Sequence, residues 1–133
     1  PARTVTSVMV PRDEVVSVRA GTPVEAVELV AARNGHSRLP VYGRDLDEIL
    51  GYVHAKDLLA LPPEARDQPL PRSIVRGMLR VPVDRTLMDL LLAMRRARLH
   101  FAVVADGAGR VAGIATLEDV LESLVGDIRD EHD

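Results

Sequence analysis

Thr116-Leu-Glu-Asp119 places a hydroxyl three residues ahead of a carboxylate. Residues three apart at a helix start lie on one side, and the free backbone N–H groups there favour an anion. One short element could therefore hold an anion beside a group that donates hydrogen bonds. Thr-x-x-Asp also has a plainer reading as a capping box, in which both side chains serve only the helix. Arg38, taken without context, reads as an exposed arginine at a strand edge. Asp127, Asp130, Glu131 and Asp133 surround His132 without any recognised zinc spacing, so the acidic end reads as a solvated connector, and no protein metal site is expected. Asp45, Asp47 and Glu48 read as an exposed loop that aids solubility. No Ser/His/Asp order, Walker loop or catalytic carboxylate pair occurs in a context that would position a substrate, so the sequence does not predict an enzyme.

Composition narrows the setting. The chain has 133 residues, enough for one compact domain. Apolar residues make up 47% of it and aromatics 2%, so the core must be built from Val, Leu, Ala, Ile and Met. The net charge of -3 and the pI near 5.8 supply no broad positive field, which argues against nucleic acid as a partner despite the cluster Arg95, Arg96, Arg98. Without cysteine there is no disulfide framework and no thiolate site. No apolar run approaches the ~20 residues that span a bilayer. The abrupt start at Pro1 and the charged end suggest a piece of something longer.

The chain repeats itself. Val16-Ser-Val18 matches Val81-Pro-Val83, Thr22-Pro-Val-Glu25 matches Thr86-Leu-Met-Asp89, His36 matches His100, and Gly51 to Asp57 matches Gly113 to Asp119. Each copy predicts a Val-rich strand and then a helix. Thr22 would cap the first helix in a capping box with Glu25, with Pro23 at the first helical position and Asn34-Gly35 as the stop. In the second helix Leu87, Leu90, Leu91 and Met94 fall at helical spacing toward a core. Two hairpins follow, Arg38 to Tyr42 with Ile49 to Val53 and Phe101 to Ala105 with Val111 to Ala115, the latter turned by Asp106-Gly-Ala-Gly109. Short helices close the copies, from about Ala55 to Leu61 and from Leu117 to Val125, where Gly126 stops the last. The order is β-α-β-β-α twice, an α/β (α+β) class, with residues 1–62 as the first repeat, 63–72 as a proline-rich linker, 73–126 as the second repeat and 127–133 as an exit segment. A half of about 60 residues has little core alone, so the two sheets are expected to pack by a pseudo-twofold and leave a cleft.

These residues resemble the tandem CBS pair, or Bateman module, of the CorC/HlyC (hemolysin-like, magnesium/cobalt transporter) family over essentially the whole chain. The resemblance rests on Val8-Met-Val-Pro-Arg12, Gly35-His-Ser-Arg-Leu-Pro-Val-Tyr42, Ile49 to Leu59, and Thr116-Leu-Glu-Asp-Val-Leu-Glu122 with its continuation to Asp133. It implies a regulatory module that binds adenine nucleotide, ATP or AMP, with Mg2+ held by the phosphates. It also implies a disc-like homodimer, and a place on the cytoplasmic face of the plasma membrane beside an attached transmembrane domain. By the same resemblance Asp119 would accept from ribose hydroxyls, Thr116 would lie near the first phosphate, and Arg38 would meet phosphate. Ser37 and His36 would touch base and sugar, and Met9, Val10, Pro11 and Ile114 would line the adenine pocket. Val10 stands where the subgroup commonly has threonine, so a side-chain hydrogen bond from that position is lost. His54 stands where the pattern wants Ser or Thr before Asp57, so one main nucleotide per chain is expected. The alternative is a structural dimerisation module with a vestigial cleft.

Overall fold

The computed structural model describes residues 2–132, so the expectations placed on Pro1 and Asp133 lie outside the described residues. In chain order the elements are β1 (Val10–Pro11), β2 (Val18–Arg19), α1 (Val24–Asn34), β3 (Arg38–Tyr42), β4 (Ile49–His54), α2 (Ala55–Leu59), β5 (Leu79–Pro82), α3 (Leu87–Ala97), β6 (Phe101–Ala105), β7 (Val111–Thr116) and α4 (Leu117–His132). They form a mixed α/β fold of two repeats. They group into a contiguous unit, Val16 to Gly77, and a split unit that joins the residues up to Val15 to those from Met78 onward.

The contiguous unit carries the sheet β2-β3-β4, and the split unit carries β1-β7-β6-β5. In both, a parallel pair (β2 with β3, β5 with β6) adjoins an antiparallel hairpin (β3 with β4, β6 with β7). The β6–β7 turn forms as its residues require: the Asp106 carboxylate accepts from the N–H groups of Ala108 and Arg110 at 2.9 Å each, and Gly109 takes φ 82°. Each unit has its own aliphatic core, with Val27, Leu39, Val41, Val53 and Leu58 in one and Leu90, Met94, Ala102, Val104 and Val120 in the other. Burying one such Leu or Val contributes about 1.5–3 kcal/mol. Leu87, Leu90 and Met94 all face the core, as the helical spacing requires, and Leu91 packs beside them.

The two equivalent helices start differently. Thr86 caps α3, its hydroxyl accepting the Asp89 N–H at 3.1 Å. The capping box expected at Thr22 does not form: α1 begins one residue later, Pro23 occupies the cap position, and the Thr22 hydroxyl donates to the Arg19 carbonyl at 2.6 Å. The first amides of α1 are satisfied from elsewhere. Val24 N–H donates to the Gln68 carbonyl at 3.0 Å and Glu25 N–H to the Arg66 carbonyl at 2.9 Å. The proline-rich stretch is thus the cap of α1, and its Leu70, 6% exposed, is part of the contiguous unit's core. Gly35 ends α1 in a left-handed conformation, as expected.

Register also corrects the repeat alignment. Leu117 N–H donates to the His100 carbonyl at 2.9 Å, and the matching bond in the other unit runs from Ala55 N–H to the Ser37 carbonyl at 2.8 Å. The equivalent of His100 is therefore Ser37 and not His36. Gly126 does not stop the last helix, since α4 runs through it to His132. A helical glycine costs only about 1 kcal/mol relative to alanine, less than a continuing helix recovers from packing.

Candidate functional site

Hydrogen bonding at β1 builds the split unit's site. Val10 pairs with Ile114 and Pro11 with Gly113, antiparallel. Gly113 is required by this crossing, because a Cβ there would run into the Val10 carbonyl oxygen and lie 3.0 Å from the Met9 sulfur. The pairing brings Met9, Val10, Pro11 and Ile114 together around the end of β7, where Thr116 leads into the first turn of α4 and Asp119. Ile114 is buried, Met9 and Val10 are half-buried, and Pro11 is exposed.

Thr116 Oγ accepts the Asp119 N–H at 3.2 Å, which is half of a capping box. The other half is missing. Among the described residues the Asp119 carboxylate has no hydrogen-bond or ion-pair partner, although the residue is half-buried and borders a depression of about 340 Å3 lined by Arg3, Ser7, Val8, Glu122 and Ser123. Arg3 on its rim pairs with Asp127 at 2.7 Å and does not engage Asp119. The arrangement offers a carboxylate acceptor beside a hydroxyl at a helix start; the depression that Asp119 borders is lined mostly by polar side chains and not by Met9, Val10, Pro11 or Ile114.

The contiguous unit holds the other sequence-derived residues. Arg38 opens β3, is half-buried, and stands opposite His54 in the β3–β4 register. Its equivalent in the split unit is Phe101, opposite Thr116. His36 and Ser37 are exposed after the end of α1, on the border of an apolar groove of about 480 Å3 that also includes Leu29, Leu58 and Leu59. A larger cavity of about 530 Å3, lined in part by Ala20, Leu50, Leu70 and Arg72, contains none of the residues the sequence singled out.

Asp57 in the contiguous unit is the counterpart of Asp119, and its surroundings differ. The Arg76 guanidinium binds it through two bonds, Nε to Oδ2 at 2.8 Å and Nη2 to Oδ1 at 3.0 Å. This hydrogen bond, above all, holds the Asp57 carboxyl below the usual carboxylate range, with the nearby Arg76, Lys56 and His54 charges adding to it. His54 Nδ1 accepts the Lys56 N–H at 3.2 Å and takes the role that Thr116 Oγ plays in the other unit. Partial burial, and then the positive charges of Arg38, Lys56 and Arg76, hold the His54 imidazole below its ordinary pKa. Sequence reasoning missed Arg76. The signal was there: aligning Ile74-Val-Arg-Gly77 with Val8-Met-Val-Pro11 puts Arg76 at the position of Val10. The structure agrees, since Arg76 exchanges backbone bonds with Tyr52 (2.7 and 2.9 Å) as Val10 pairs with Ile114.

Among the described residues no cluster of His, Asp and Glu could hold a metal ion. Among them, too, no helix is long and apolar enough to cross a membrane.

Comparison with known proteins bears on the family and the fold. The model of the CBS domain matches residues 5–64 and 72–126. Hemolysin C of Rickettsia prowazekii (strain Madrid E) is 37% identical over 130 residues, which is 97% of this chain and 43% of that protein. The chain thus spans less than half the length of that relative. Among solved structures, the CBS domain of the bacterial CNNM/CorC family Mg2+ transporter superposes with a TM-score of 0.87 at 35% identity, covering 93% of this chain and 76% of that one. The same domain in complex with ATP superposes with a TM-score of 0.86 at 35% identity, covering 93% and 88%. The chain belongs to the CBS-domain family, and its two repeats are a tandem CBS pair homologous to those of hemolysin C and of the CNNM/CorC family of Mg2+ transporters.

Proposed function

We propose that this CBS pair is a regulatory module that binds an adenine nucleotide and passes the binding to an attached membrane domain. One observation carries the reading: Asp119 is a half-buried carboxylate without a partner among the described residues, one helical turn from a hydroxyl. Its oxygens are open to solvent, and ribose hydroxyls would take the place of water as their donors. Met9, Val10, Pro11 and Ile114 suit a purine, since apolar walls with few polar anchors are what such sites use. The ATP complex of the transporter's CBS domain supports the same ligand class. Arg38 keeps its assignment to phosphate, and Ser37 and His36 theirs to base and sugar, on the family resemblance. Mg2+ would ride on the nucleotide phosphates, because that ion keeps most of its waters and needs few protein ligands.

The partner in this proposal is a second copy of the chain. Met88 and Leu92 on α3, with Leu121, Val125 and Ile128 on α4, are each between 43% and 56% exposed and recur at helical spacing, which suits a homodimer face. The module would lie on the cytoplasmic side of the membrane. For regulation the nucleotide must bind one state of the pair better than another, since equal affinities would shift nothing.

Calorimetry with ATP, ADP and AMP, with and without Mg2+, tests the reading. Asp119→Ala should weaken binding roughly 10- to 150-fold, the worth of a lost charged hydrogen bond. Arg38→Ala should weaken ATP more than adenosine. No heat at millimolar nucleotide would favour a purely structural dimerisation module instead.

A further inference from the structure

We infer that Arg76 is a built-in plug of the contiguous unit's ligand anchor, and that the residue at this crossing position, Val10 in one unit and Arg76 in the other, decides which anchor takes a nucleotide. The inference rests on the proposed function for the identity of the ligand. The plug itself rests on geometry.

The two anchors share a scaffold. A lead-in segment crosses the last strand of each hairpin: Val10 over β7 and Arg76 over β4. Beneath each crossing sits a glycine, Gly113 or Gly51, whose Cβ would strike the carbonyl oxygen of Val10 or of Arg76 respectively. The lead-ins are anchored alike: Val5 N–H donates to the Arg85 carbonyl at 2.8 Å, and Leu70 N–H to the Thr22 carbonyl at 2.9 Å. Both carboxylates then stand three residues after the end of the hairpin. What differs is the crossing side chain.

Valine has neither the reach nor the donors to engage Asp119. Arginine has both, and its planar fork takes both oxygens of Asp57, the oxygens that ribose hydroxyls would need. A ligand at Asp57 would have to break a bidentate ion pair that is tethered, and therefore present at high effective concentration. Replacing His54 by a hydroxyl would not by itself open this anchor. Removing Arg76 would, and Lys56 would leave positive charge there for phosphate.

The test is the ATP stoichiometry of the whole chain, measured by calorimetry for the wild type, Arg76→Val, Asp119→Ala and the double variant, with folding checked by thermal denaturation. The expected values are one tightly bound ATP per chain for the wild type, two for Arg76→Val, one weakened roughly 10- to 150-fold for Asp119→Ala, and for the double variant one tight site, now at Asp57, beside the weakened one. If Arg76→Val does not fold, Arg76→Gln keeps the backbone crossing while removing the charge, and the same gain is expected. A folded variant that gains no site overturns the inference while a binding wild type leaves the proposed function standing. Should the wild type bind nothing, the proposed function fails, and the gain of a site in Arg76→Val still decides for the plug or, if missing, against it.

Discussion

Asp119 and Asp57 occupy the same place in two copies of one scaffold, yet one is open and the other is locked. In the split unit the carboxylate follows Thr116, looks past a valine, and has Phe101 opposite the start of its helix. In the contiguous unit it follows His54, has Arg38 opposite, and is clasped by Arg76. Strand register, glycine crossing and helix start are the same in both. A duplicated fold can therefore give its copies different roles by changing the few side chains that line one crossing, without disturbing the backbone that makes the crossing possible.

Three measurements sharpen or break this comparison. The largest effect belongs to the crossing glycines: Gly113→Ala and Gly51→Ala should each destabilise the chain by about 1–3 kcal/mol in urea denaturation, because a methyl at either would meet main chain that cannot step aside. If one were silent, the two crossings would not be equivalent. Next come the helix starts. Thr86→Ala should cost about 1 kcal/mol, the worth of an N-cap, while Thr22→Ala should stay within about 0.5 kcal/mol, because the amides of α1 are served by Arg66 and Gln68.

The smallest effect is a pH dependence. The folded pKa of Asp57 is depressed, so its stabilising contribution is fully present above the ordinary carboxylate value of about 3.9 and is lost as pH falls through the lower folded value. Asp57→Asn should therefore melt below the wild type at pH 7, with the gap closing in strong acid. Asp119→Asn, which breaks no ion pair, should show a smaller gap at pH 7. Equal gaps would mean that the clasp adds nothing to the fold.

Much of this was readable in the sequence, for definable reasons. β3 and β6 run over the residues expected, Arg38 to Tyr42 and Phe101 to Ala105, because β-branched runs bounded by Gly and Asp turns are local signals. The family was legible because several motifs recur in order. The misses share another cause. Thr22 looked like a cap only because the carbonyls that serve α1 lie more than forty residues downstream. Matching His36 to His100 put identity of residue above register, and the register makes Ser37 the counterpart of His100. Arg76 was passed over because, although it falls within the second repeat's span of 73–126, the aligned segments of that repeat began only at Val81.

The interleaving of the chain has a consequence for its synthesis. The contiguous unit is complete once Gly77 has left the ribosome, and units tend to fold as they emerge. β1 is made first yet must wait for a partner strand that begins at Val111. Val5, which ends fully buried, spends that interval without its pocket. Elongation rate and chaperone occupancy over residues 78–111 should therefore govern the yield of the half that carries Asp119, while the half that carries Asp57 matures regardless.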